Sequence, residues 1–174
     1  DSEARRPSET GLYADARALY DWLRNVKQVP SSRIILYEHS LGAGPATELA
    51  LRTEAAGLII EGAFTSVPDR GAEIYPWLPV HWLATQRFSN IDKIGHVAMP
   101  KLLMHARDDS IIPYAHGQQL FEAASAPKQW VELSGGHMRA FLDDSAHFWG
   151  HVGEFARRLR SDLPIGESPL PGAR

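Results

Sequence analysis

Between Tyr13 and Val26 apolar residues recur at helical spacing. Ala16, Leu19, Tyr20, Leu23 and Val26 fall on one stripe, which predicts a helix over 13–26, with Ser8 and the acidic Glu9 marking its start. Val29-Pro30-Ser31-Ser32 then breaks the pattern. The run Arg33-Ile34-Ile35-Leu36-Tyr37 that follows is too short for a helix and β-branched at its centre, which suits a strand buried on both faces. Similar apolar runs stand at 57–61, 101–105 and 129–133. Helical stretches at 41–53 and 114–124 alternate with them. A last amphipathic helix over 146–159 aligns Phe148, Val152, Phe155 and Leu159. Strands with near-continuous apolar character alternating with helices predict an α/β fold, a parallel sheet flanked by helices.

Two segments depart from this rhythm. Residues 64–100 carry Pro68, Pro76, Pro79 and Pro100 together with Trp77 and Trp82, a pattern of short helices and loops laid over another surface. From Ser161 onward, three prolines and two glycines in fourteen residues predict a flexible tail over 161–174. The remainder, 1–160, shows no repeat and no domain boundary.

Composition narrows the class. The 174 residues are 44% hydrophobic and 22% charged, values of an ordinary globular chain. Eighteen basic against twenty-one acidic residues give a net charge of −3, so there is no basic footprint for nucleic acid. No apolar run approaches the ~20 residues of a membrane span. Cysteine is absent, which removes disulfides, thiolate nucleophiles and Cys-based zinc sites together. A cysteine-free chain fits a reducing compartment, and the cytoplasm is the expected location.

The chemistry gathers where the strands end. The strand at 33–37 runs into Glu38-His39-Ser40-Leu41-Gly42-Ala43-Gly44-Pro45 and then a helix. A serine on a sharp strand-to-helix turn is a nucleophile elbow: the turn lifts the hydroxyl clear of the sheet, and the next amide, Leu41 N–H, can donate to a developing oxyanion. Small residues two before and two after the serine are needed; Gly42 satisfies this and Glu38 does not. An ordinary loop that happens to contain a serine is the plain alternative. After 101–105 come Asp108 and Asp109, which could equally be a helix-capping pair. After 129–133 comes Gly135-Gly136-His137, which could be a simple turn. Together they place Ser, Asp and His, in that order, at the carboxyl ends of three strands, where open α/β sheets bind ligands. In such a site a neutral His137 takes the Ser40 proton and returns it to the leaving group, while an aspartate fixes the imidazole tautomer. Neither metal nor organic cofactor is required. His147 and His151, four apart on the last helix, lack an accompanying carboxylate motif and read as a solvated face. His81, His96 and His116 carry no readable signal. Arg157, Arg158 and Arg160 suit the dipole at the end of that helix.

These segments, with Phe64-Thr65-Ser66 and the stretch from His105 to Pro113, resemble the α/β-hydrolase fold serine hydrolases, in particular the bud-emergence-type hydrolases and their bacterial relatives. In the family pattern His-Gly-x-x-Asp-x-x-Val/Ile-Pro the resemblance selects Asp109 as the acid, with Asp108 as runner-up. It also makes 64–100 a short cap that shapes an acyl pocket, with Phe64 expected to bind substrate; His39, beside the nucleophile, is expected to line the pocket, an incidental loop residue being the alternative. Ala43 and Ala106 replace family glycines, a mild change. Glu38 is a larger one, because a carboxylate buried beside the elbow costs several kcal/mol unless it is paired or protonated; either the elbow is distorted or Glu38 turns to His39, Arg107 or a backbone amide. The family fold also begins with strands before the first helix, so this chain is expected to be the C-terminal part of a larger domain. It would then expose the edge of the 33–37 strand, inviting self-association, and supply one oxyanion donor where the family has two. The implied activity is hydrolysis of a small-molecule carboxylic ester through Ser40, Asp109 and His137. A thioesterase or serine peptidase of the same fold, or a catalytically impaired binding or structural module, are the alternatives.

Overall fold

A computed structural model describes residues 7–161; the tail expected over 161–174 lies outside them, apart from Ser161, the last residue of the final helix. The first helix, α1 (Glu9–Asn25), starts where Ser8 accepts a hydrogen bond from the Gly11 amide, which satisfies one of the free N–H groups of its first turn.

Four strands form one sheet: β1 (Ile35–His39), β2 (Gly57–Glu61), β3 (Lys101–Ala106) and β4 (Lys128–Leu133). All neighbours are parallel, in the order β1-β2-β3-β4. The register sets His39 beside Glu61 and Ala106 beside Leu133, so the carboxyl ends form one edge. With helices on both faces this is the α/β architecture expected from the sequence. The first strand needs correcting. It starts two residues late because Ser31–Arg33 coils into a short 3-10 turn. Nor is it buried on both faces: Tyr37 is 43% exposed and Glu38 is also open to solvent. β1 is an edge strand among the described residues, whereas β2 and β3, inside the sheet, are buried throughout.

The two faces fill separately. On one, Leu36, Leu58, Ile60 and Leu103 pack with Tyr20 of α1, with Ala46 and Leu49 of α2 (Ala43–Leu51), and with Leu120 from a later helix, α6 (Tyr114–Ala123). Between β2 and β3 the 64–100 segment forms three short helices, α3 (Val67–Ile74), α4 (Val80–Leu83) and α5 (Ile91–Ile94). On the other face Ile59, Leu102, Met104, Val131 and Leu133 pack against Phe148 and Phe155 of α8 (Ser145–Ser161), which follows the single turn α7 (Ala140–Asp143). Phe148 is fully buried. Replacing it with alanine should cost about 3–5 kcal/mol, as a loss of urea midpoint, because the sheet face cannot collapse into the cavity.

Candidate active site

The chain turns sharply out of β1. Ser40–Gly42 forms one 3-10 turn and α2 follows at once. Ser40 takes φ +57°, left-handed backbone that a side chain adopts only at a cost and that clusters at functional sites. A side chain at Gly42 would run into the Glu38 carboxylate, which lies against the turn. This overturns the expectation of a buried Glu38: on the open edge of the sheet its side chain reaches solvent, and among the described residues it bonds to none of the expected partners. Its only perturbation is partial desolvation, which pushes its pKa up. The elbow forms with this residue in place. Leu41, directly after the serine, is 47% exposed.

Ser40 Oγ lies 2.8 Å from His137 Nε2, and His137 Nδ1 lies 2.6 Å from Asp109 Oδ2. His137 hangs from the loop after β4, whose Gly135 and Gly136 have φ +101° and +71°. Asp109 sits in the turn after β3, and its other oxygen accepts the Ile111 and Ile112 amides, each at 2.8 Å. Asp108 points elsewhere: it accepts the Gly136 amide at 3.2 Å and so holds the histidine loop from outside. Burial alone would raise the Asp109 pKa, but hydrogen bonding from the histidines and the two amides outweighs it and holds the carboxyl well below the usual range.

That depression fixes a sign. A carboxylate held below its unfolded value of about 3.9 stabilises the fold fully above that pH and loses the contribution as pH falls toward the folded value. The urea midpoint of the wild type should therefore exceed that of Asp109→Asn by a margin that narrows between pH 5 and pH 2.5.

His39 and Phe64 take different positions. His39 Nε2 is 2.8 Å from the His137 carbonyl oxygen, and the two rings lie 4.6 Å apart, so His39 ties the elbow strand to the histidine loop. Phe64 is buried with Phe88 and Ile112, with Leu12, Tyr13 and Val67 around them. His116, which carried no signal in the sequence, is buried between the Thr65 hydroxyl, at 3.0 Å, and Glu73, at 3.1 Å. His105, the first residue of the His-Gly-x-x-Asp pattern, is given no role in the sequence reading; it is buried against Asp109. The rings of His147 and His151 meet edge to face, with centroids 4.5 Å apart. Among the described residues no group of three or more His, Cys, Asp or Glu could hold a metal, and no helix is long and apolar enough to cross a membrane.

No family model matches the chain. An uncharacterized protein of Mycobacterium tuberculosis is 40% identical over 133 residues, covering 76% of this chain and 47% of that protein. Alpha/beta hydrolase domain-containing protein 17B of Xenopus laevis is 34% identical over 136 residues, covering 77% and 46%. Among solved structures, the esterase domain of a Rhodothermus marinus protein superposes with a TM-score of 0.64 at 25% identity, over 88% of this chain and 69% of that one. The chain thus spans about half the length of the curated relatives it matches.

Proposed function

We infer that this chain, which carries the α/β-hydrolase fold, is the triad-bearing part of a serine hydrolase that cleaves carboxylic esters. The observation that carries this reading is the unbroken chain of short contacts from Ser40 Oγ through His137 to Asp109, starting at a serine held in left-handed backbone. His137 Nε2 is placed to take the Ser40 proton as the oxygen attacks an ester carbonyl. Asp109 keeps the other ring proton on Nδ1 and stabilises the imidazolium that forms. The Leu41 amide, at the N-terminal end of the turn, is the candidate donor to the oxyanion. Collapse of the tetrahedral species expels the alcohol, which takes the proton from His137 Nε2. Water then repeats the sequence on the acyl-enzyme.

The surroundings favour an apolar acyl group. Leu41, Ile111 and Met138 are exposed, each within two residues of one member of the triad. Pairing of the Glu38 carboxylate with a basic partner is not needed for the turn to form, which weakens the case for an impaired binding module. A fluorophosphonate probe tests the reading directly. Mass spectrometry should find Ser40 covalently modified in the folded chain; folded protein that stays unlabelled under conditions that label a complete esterase would refute it.

A further inference from the structure

A second imidazole lies against Asp109 Oδ2, the same oxygen that meets His137. His105, near the end of β3, is completely buried. Its Nε2 lies 2.9 Å from the Ile112 carbonyl oxygen and 3.4 Å from Asp109 Oδ2. Both neighbours are acceptors, so Nε2 must carry the ring proton. Nδ1 is buried with no hydrogen-bond partner, so a second proton there would be a buried N–H with nothing to receive it. The proton on Nε2 thereby fixes which way the ring faces the Ile112 carbonyl. Its slot is cut to shape: a Cβ on Gly117 of α6 would fall 2.4 Å from Nδ1 and 2.9 Å from the Trp130 ring. The edge of Tyr114 closes the slot, with ring centroids 5.9 Å apart.

The position of this donor matters because of what Ile112 does. The Ile112 amide holds Asp109 Oδ1, and the carbonyl of the same residue is held by His105. The turn that aims the carboxylate is therefore gripped at its far end by a side chain that also sits against the other carboxylate oxygen. The remaining titratable groups near the assembly serve other bonds. His39 from β1 contacts the His137 carbonyl. Asp108 takes the Gly136 amide, and Tyr114 donates to Glu132, which also pairs with Arg107.

We propose that His105 is a positioning residue for the Ser40–His137–Asp109 triad: through the Ile112 carbonyl and its contact with Oδ2 it fixes the direction in which Asp109 meets His137 Nδ1. The role rests on the hydrolase reading, but its test does not depend on turnover. A histidine proton held in a short bond to a carboxylate gives a far-downfield NMR signal, and that of His137 Nδ1–H reports the Asp109 contact whether or not an ester is cleaved.

Two replacements differ in reach alone. Glutamine places an amide N–H near the position of Nε2, whereas asparagine reaches only as far as Nδ1. His105→Gln should keep the downfield signal. His105→Asn should lose it, or exchange the proton at least tenfold faster, while far-UV circular dichroism still reports a folded chain. Should the asparagine variant fail to fold, His105→Leu fills the slot without a donor and should behave in the same way. In hydrolysis of a p-nitrophenyl ester the donor-less variants should lose about 10–100-fold in kcat with KM unchanged, the usual effect of a misaimed catalytic group. An undiminished His137 signal in folded His105→Asn or His105→Leu overturns the proposal. So does a glutamine variant as damaged as the asparagine one. Absence of Ser40 labelling, with the NMR pattern as described, would refute the hydrolase reading and leave the His105 role standing.

Discussion

Ser40→Ala should abolish fluorophosphonate labelling and lower kcat for a short p-nitrophenyl ester by about 10⁴–10⁶, the range found when the nucleophile of a Ser–His–Asp site is removed. The loss is this large because His137 Nε2, 2.8 Å from the serine oxygen, then has no proton to take and no acyl group can be carried. The same position allows a test by stability. φ at Ser40 is +57°, which alanine tolerates no better than serine and glycine tolerates freely. Ser40→Gly should therefore be as inactive as Ser40→Ala yet more stable than it by about 1 kcal/mol, the usual size of such backbone strain. Chemical denaturation of the two variants side by side reads the difference. Equal stabilities would mean that the turn relaxes to ordinary backbone in solution, and residual labelling in either variant would mean that another residue is the nucleophile.

The parts of this molecule readable in the sequence are those whose physics is local. β2 is apolar from Gly57 to Ile60 because it is covered on both faces and both edges, and its limits follow from the run itself. Gly42 was legible because the elbow pattern calls for a small residue two after the serine; here a side chain would meet Glu38. β1 resembles β2 in composition; its exposed edge is expected only from the family resemblance, because a strand does not itself encode what pairs with it, and among the described residues β2 alone does. The exposure of Tyr37 and the open position of Glu38 follow from that edge, which is why a carboxylate expected to be buried is not. The neighbours of Phe64 are not legible locally, because Phe88 and Ile112, which pack with it, are distant in the chain. His105 depends on three elements at once: the turn of Asp109, Gly117 on α6 and Trp130 on β4. No single stretch of sequence contains that arrangement.

Adjacent aspartates give the second large effect, because the structure separates residues that the sequence leaves side by side. Asp109→Asn should lower kcat by about 10⁴, as expected when the orienting carboxylate becomes an amide. The reason is tautomeric. Asparagine can still accept the Ile111 and Ile112 amides through its oxygen, so the turn survives. Its NH2 group then faces His137 Nδ1, which must become the acceptor. The ring proton moves to Nε2, where it blocks removal of the Ser40 proton. Asp108→Asn should change kcat less than about twofold, since an asparagine oxygen can take the Gly136 amide as the carboxylate does, at no more than the cost of one exposed hydrogen bond. Steady-state kinetics on the two variants decides between them. A large loss in Asp108→Asn with little in Asp109→Asn would reassign the acid, and it would require the 2.6 Å contact between His137 and Asp109 to be replaced in the working enzyme.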